Sequence, residues 1–281
     1  MEVSDCHKCG APQQAFERDC PSCGEHLGFP NVLLANSSLE LEALESRFQS
    51  SLSKCVMNRS SSEFSTLVEL IAKTSHVVVS VPVDIALKIV TDPLTLYVNY
   101  EKLVGAGVRS RGSFANDSHR KIVAGALFGS FGDQILYGAL SLNGRGLATY
   151  GDIYCTLKGD SISKRTSFLE ENSYDFSQKY KDEQLPNGYR CDWGNRDKLV
   201  AIKLESEGLI KKSSDPKKWP SLVLNCDGVD RSKDKFVEAH IYGSFNIYSI
   251  DKIVVSEFMK ESVLNKSMAE AIVDAFNNTA S

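Results

Sequence analysis

Long apolar runs are missing from this chain of 281 residues. None approaches the roughly 20 residues that cross a bilayer as a helix, so no membrane span is expected. Met1-Glu2-Val3-Ser4-Asp5 has neither the basic region nor the apolar core of a signal peptide, and the expectation is a soluble, cytoplasmic protein. An excess of one charge is missing too. Lys and Arg total 32 against 36 Asp and Glu, a net charge of −4 with a pI near 5.8. Bulk charge therefore does not advertise nucleic-acid binding, and any such surface must be local. There is no GxGxxG fingerprint and no Walker lysine, which removes the Rossmann and P-loop folds from consideration.

What is present starts with cysteine. Four of the eight lie in the first 23 residues, and Cys55, Cys155, Cys191 and Cys226 are scattered. In a reducing compartment the cluster points to metal and the scatter to free thiols. Cys6-His7-Lys8-Cys9-Gly10 and Cys20-Pro21-Ser22-Cys23-Gly24 are two CxxCG knuckles separated by ten residues. Each brings two thiolates to one ion, and the glycine after the second Cys permits the turn. Cys6, Cys9, Cys20 and Cys23 thus predict a structural Zn²⁺ ribbon, too small to fold without its metal. Disulfides are the weaker alternative, and His7 and His26 are not needed as ligands. Lys8 and Arg18 face Glu2, Asp5, Glu17, Asp19 and Glu25, so the ribbon suits protein contact or packing better than phosphate binding.

With 42% hydrophobic residues the remainder can bury a core, as one large domain or two smaller ones. After Asn36-Ser37-Ser38, helical spacing of Leu41, Leu44, Phe48, Leu52 and Cys55 predicts an amphipathic helix. A serine-rich break at 58–62 and a second helix with Phe64, Leu67, Val68 and Ile71 follow. His76–Val81 is β-branched and reads as a strand. Pro82 opens a helix to about Val90. Residues 94–100 and 150–157 read as further strands, and Lys164–Phe168 as another or its edge. A last strand and an amphipathic helix end the chain.

The run 235–247 is β-rich and mostly apolar, and a single acid, Glu238, sits in it. A carboxylate buried in such a strand costs several kcal/mol unless paired or employed. Either it pairs with an Arg or backbone donors, or it faces a cleft and works there. His240, two residues on, shares its face.

Glu238-Ala239-His240-Ile241-Tyr242-Gly243, followed by Ile250–Val255, resembles the catalytic-glutamate strand of ADP-ribosyltransferases. Val98-Asn99-Tyr100, Arg109-Ser110, Tyr137–Leu142 and Arg165–Phe168 are similar to motifs of a bacterial branch of that family. The resemblance covers roughly 94–176 and 235–258; the segment 177–234 matches nothing recognisable. It implies an α+β fold with a split β-sheet core and flanking helices. The organisation expected is a zinc ribbon at 1–30, a helical linker at 31–60 and an ADP-ribosyltransferase-like catalytic domain at 61–281.

The resemblance further implies mono-ADP-ribosyl transfer from NAD⁺, with Glu238 stabilising the ribosyl cation and His240 as a base. Asn99 stands at the first-strand position where better-known relatives carry Arg or His. Arg109 and Arg111, in a glycine-rich loop, suit a pyrophosphate because guanidinium binds phosphate bidentately; a plain solvated loop is the alternative. Arg165 is expected to neutralise Glu238 or clasp the cofactor, Ser167 to hold a carboxamide or ribose hydroxyl, and Tyr137 and Tyr150 to stack on nicotinamide; each also has an ordinary structural reading. Between 211 and 235 seven basic and four acidic side chains make a local +3 beside Trp219. This suits an anionic acceptor such as RNA, with a protein acceptor as the alternative. Family analogy adds a bacterial toxin or anti-phage effector held by an antitoxin-type protein partner. The rival readings are a catalytically inactive zinc-ribbon binding module and an NAD⁺ glycohydrolase.

Overall fold

The computed structural model describes residues 5–13, 17–105, 116–180 and 185–280. Its sheet holds in its interior the strand that the sequence announces most plainly. The run of valines in β1 (His76–Val81) forms a buried ladder rung with β2 (Ile135–Ser141) on one side and β3 (Ile153–Leu157) on the other. β4 (Thr166–Leu169), β5 (Arg190–Asp192), β6 (Glu238–Tyr242) and β7 (Ile250–Val255) complete a sheet in the order β5-β4-β6-β2-β1-β3-β7. All neighbours run antiparallel. In place of the expected split sheet there is one seven-stranded ladder, in which three residue pairs join β1 to β2 against five at β1–β3.

The helices follow in chain order. α1 (Pro30–Ala35), α2 (Ser38–Met57) and α3 (Ser61–Thr74) precede the sheet. α4 (Val83–Thr91), α5 (Tyr100–Gly105) and α6 (Asn116–Phe128) join β1 to β2; α7 (Gly159–Ile162) joins β3 to β4. α8 (Ser173–Lys179), α9 (Arg196–Ser206), α10 (Trp219–Val223) and α11 (Val263–Ala280) complete the set.

Strand periodicity divides the sheet into two unlike faces. Val77, Val79, Leu136, Leu140, Ala239 and Ile241 join the main core with Phe64, Leu67 and Ile71 of α3 and Leu199, Val200 and Ile202 of α9. Leu44 and Cys55 of α2 lie in that same core, so the amphipathic helix packs onto the sheet domain. On the other face two smaller clusters stand apart. One gathers Phe128, Phe131, Ile135, Leu169 and Phe176; the other Ala139, Leu147, Leu224 and Phe236. Glu238, opposite Ala139 and Leu169 in the ladder, and His240 point to this second face.

The strand expected at 94–100 does not form. Asp92 accepts from the Leu94 amide (3.0 Å) and the Thr95 hydroxyl (2.9 Å), a turn that competes with extended pairing. Leu94 and Leu96 are exposed, and only Tyr97 is bridged, to Phe245. Tyr150 lies before β3, in a turn rather than the strand. Arg109 and Arg111 lie outside the described residues. The unmatched segment contributes α9, the largest helix buried against the sheet from that part of the chain. Among the described residues no helix is long and apolar enough to cross a membrane.

Candidate functional site

The four N-terminal cysteines come together as two copies of one turn. Gly10 N donates to Cys6 O and Gly24 N to Cys20 O, both at 2.8 Å, and Gly10 and Gly24 share φ = 71°. Any side chain would be strained there, which is why each knuckle ends in glycine. Cys6 Sγ lies 3.7 Å from Cys23 Sγ, and Cys9 Sγ 3.6 Å from Cys20 Sγ; all four ligand atoms fall within 4.8 Å of one another. Sulfurs about 2.3 Å from a common tetrahedral ion stand about 3.8 Å apart, so the set fits a metal such as zinc. Gln13 Nε2 donates to Cys20 Sγ (3.3 Å), support of the kind that thiolate ligands receive. The Glu25 amide favours ionisation of Cys23, but burial and the thiols of Cys9, Cys20 and Cys6 push it up to about 12. A cation at the centre removes that mutual repulsion.

The second feature sits at the head of β6. Glu238 is 6% exposed. Its Oε2 accepts from the Ser173 amide (2.9 Å), from the Ser173 hydroxyl, and from His240 Nε2 (3.0 Å). Three donors on one oxygen suit a negative charge. Among the described residues Oε1 accepts no hydrogen bond. His240 is wedged edge-on between the rings of Phe128 (4.8 Å) and Tyr137 (5.4 Å). Tyr150 flanks the cluster: Asn172 Nδ2 reaches its hydroxyl at 3.3 Å and the Arg231 guanidinium stacks 4.4 Å from its ring. Burial, helped by the charge of Glu238, pushes the Tyr150 phenol up.

Serine, histidine and an acid in mutual contact invite a nucleophilic-triad reading, and the geometry argues against it. Ser173 Oγ and Glu238 Oε2 both meet the same imidazole nitrogen, Nε2, at 3.1 and 3.0 Å. A triad needs the serine on one ring nitrogen and the acid on the other. Here the hydroxyl donates its hydrogen bond to the carboxylate. The cluster is built around the acid.

The other expected site residues fall elsewhere. Arg165 does not reach Glu238. Its guanidinium donates to the carbonyls of Ser161 (3.1 Å) and Tyr242, at the far end of β6. Tyr242 is four strand steps beyond Glu238, roughly 13 Å. Ser167 lies opposite His240 in the ladder, but its hydroxyl accepts from Asn31 (3.2 Å), which also donates to the carbonyls of His240 (2.9 Å) and Arg165 (3.1 Å). Asn31 thereby fastens the segment after the ribbon to the sheet. Asn99 donates to the Ile135 carbonyl and accepts from the Glu101 amide (2.7 Å), starting α5.

Asn99 and Arg165 nevertheless share a place. Both line a cavity of about 440 Å³, with Arg18 and Phe29 on the ribbon side and Lys102 and Tyr242 on the sheet side. A second, more open hollow of about 380 Å³ is formed by the basic segment, including Lys211, Lys212 and Lys218. Glu238 lines neither.

Sequence reasoning missed Ser173 and Asn31. Asn172 caps α8, its side chain accepting from the Tyr174 amide (2.8 Å), and an Asn-Ser pair opening a short helix was a legible cap signal. Its contact with Glu238, 65 residues away, was not. No protein-family model matches this chain, and no curated protein matches it.

Proposed function

We propose that this protein is a mono-ADP-ribosyltransferase that uses NAD⁺, with a zinc ion in the cysteine cluster. The observation that supports it most is the Glu238 cluster: a carboxylate at the first residue of an interior strand, all its donors among the described residues on Oε2, with Oε1 left in this reading for a substrate hydroxyl. In this reading the C1′–N bond of the nicotinamide riboside breaks, and the bonding pair leaves with nicotinamide. Glu238 Oε1 accepts from the ribose 2′-hydroxyl and stabilises the positive charge left at C1′. The acceptor attacks C1′ and gives up its proton to His240, which shares the strand face. Tyr137 and Tyr150, on either side of the cluster, supply aromatic walls for the nicotinamide ring. The lysines at 211–218 favour an RNA acceptor over a protein. A toxin or anti-phage role, held by an antitoxin-type partner, completes the proposal by analogy.

One observation favours the inactive binding module. The Glu238 side chain is 8% exposed, and its cover must open before a ribose can enter. Incubation with NAD⁺ labelled in the adenylate part separates the two. Label transferred to RNA or protein by the wild type, and lost by 10²-fold or more in Glu238→Gln, is the expected result; a loss of that size is typical when one transition-state contact is removed. Turnover by Glu238→Gln at the wild-type rate overturns the proposal, and absence of turnover by the wild type leaves the binding module.

A further inference from the structure

The cavity between ribbon and sheet carries a charge pattern that the chain does not resolve by itself. Arg165 is half-buried, and among the described residues it has no carboxylate partner; its acceptors are two backbone carbonyls. Lys102, on the opposite wall, bonds the Gln134 amide oxygen and likewise has no carboxylate partner among the described residues. Arg18 reaches in from the ribbon. It is tethered to Asp19 (2.8 Å), which in turn holds His26 Nδ1 at 3.1 Å. Among the described residues no carboxylate lines the cavity. Desolvation lowers the pKa of Arg165 without removing its charge. Partly buried cations are ordinarily paired, so Arg165 and Lys102, which line one cavity without a carboxylate partner among the described residues and share it with the more exposed Arg18, point to an anion.

The remaining walls narrow the ligand class. Phe29 and Tyr242 meet at 5.5 Å with their planes tilted by 48°, and both line the cavity. A tilted aromatic pair beside fixed cations is suited to a planar base attached to phosphate. A volume of about 440 Å³ lies in the range of small-ligand sites, roughly 300–1,000 Å³, and exceeds what a bare anion fills.

We propose that the junction between ribbon and sheet is a binding site for a nucleoside phosphate, in which Arg165, Lys102 and Arg18 hold the phosphates and Phe29 and Tyr242 contact the base. The ribbon is therefore one wall of a ligand site. Arg18 O accepts from the Leu27 amide (2.7 Å), which ties this arginine to the second knuckle, so metal in the cysteine cluster fixes its position.

Isothermal titration calorimetry of the full metal-loaded chain tests this with ADP, inorganic pyrophosphate and adenosine as probes. The expected order is ADP tighter than pyrophosphate, with adenosine undetectable, and an ADP affinity that falls as salt rises. Arg18→Gln and Lys102→Gln are each expected to weaken ADP at least tenfold; both side chains are partly solvated, and neither change opens a core. Arg165→Gln is expected to do the same, but it also breaks a contact to Tyr242 and is read only alongside the other two. Absence of ADP binding, adenosine binding as tightly as ADP, pyrophosphate matching ADP, or unchanged ADP affinity in both Arg18→Gln and Lys102→Gln overturns the proposal. The readout is binding and not turnover, and Arg18 and Lys102 are remote from Glu238. Failure here leaves the transferase reading standing, and failure of that reading leaves this one.

Discussion

The two ends of β6 pose opposite electrostatic problems. At its head Glu238 is a buried acid whose Oε2 takes three donors from the chain: the Ser173 amide, the Ser173 hydroxyl and His240 Nε2. At its tail Arg165, Lys102 and Arg18 are cations around a 440 Å³ space with no carboxylate in its lining among the described residues. The head is shut, with Oε2 satisfied from within; the tail is open, and Arg165 and Lys102 there have no carboxylate partner among the described residues. A satisfied cluster stabilises its own arrangement and must be disrupted to do chemistry, whereas an unsatisfied one is completed from outside. The two proposals therefore demand different things: opening of a cover at Glu238, and arrival of an anion at Arg165.

The largest expected effect separates the two ends outright. A strong chelator removes the metal, whose binding in ribbons of this kind is worth about 10–16 kcal/mol of folding free energy. Amide exchange at residues 5–13 and 17–28 is expected to become unprotected, while β1 and α9, whose core residues do not touch the ribbon, keep their protection. Hydrogen-exchange mass spectrometry reads both at once. Equal loss of protection throughout would mean that the sheet domain depends on the ribbon.

A smaller effect probes the head of β6. Ser173→Ala removes the hydroxyl donor from Glu238 Oε2 but leaves the Ser173 amide bond in place. A lost hydrogen bond to a buried charged group costs about 1–3 kcal/mol, and urea denaturation should show a midpoint lowered by that amount with an unchanged slope. A midpoint equal to wild type would show that Glu238 is wetter than its burial implies. The same variant is expected to loosen the cover over Oε1.

The smallest effect lies on β3, away from both ends. Burial first, then the charges of Cys226 and Asp152, push the Tyr154 phenol up to about 12 from 10. A group whose folded pKa is raised contributes stability that is complete below the unfolded value and is lost as pH rises through the folded one. Tyr154 thus makes folding less favourable as pH climbs from 10 towards 12. The Tyr154→Phe variant should show a shallower decline in melting temperature across that window, with the phenolate absorbance of the wild type appearing late.

Much of the fold was legible because it is local. The two CxxCG turns require only their own glycines, and the valine run of His76–Val81 became a strand with the bounds its composition suggested. α2 and α3 follow their apolar spacing. Residues 94–100 misled because Leu94, Leu96 and Val98 alternate like a strand. Alternation predicts pairing only if a partner edge is nearby, and here only Phe245 meets it. The candidate site divided in the same way. Glu238 and His240 were readable as neighbours on one face, because strand geometry is periodic. Their contact with Ser173, and the removal of Arg165 to the other end of the strand, were not.

The sequence by itself determined the cysteine cluster, the central valine strand, the amphipathic helices and the presence of one acid in an apolar strand. Each follows from spacing along a few residues, and short-range geometry is set by backbone and side-chain sterics alone. Only the tertiary structure decided that Glu238 meets Ser173, that Asn31 ties the ribbon segment to β4 and β6, and that Arg18 stands over a cavity with Arg165. Those contacts join residues 65 to 209 positions apart. Which of the many polar groups at such separations come together depends on how the whole sheet and its helices bury their apolar faces, a sum that no local pattern contains.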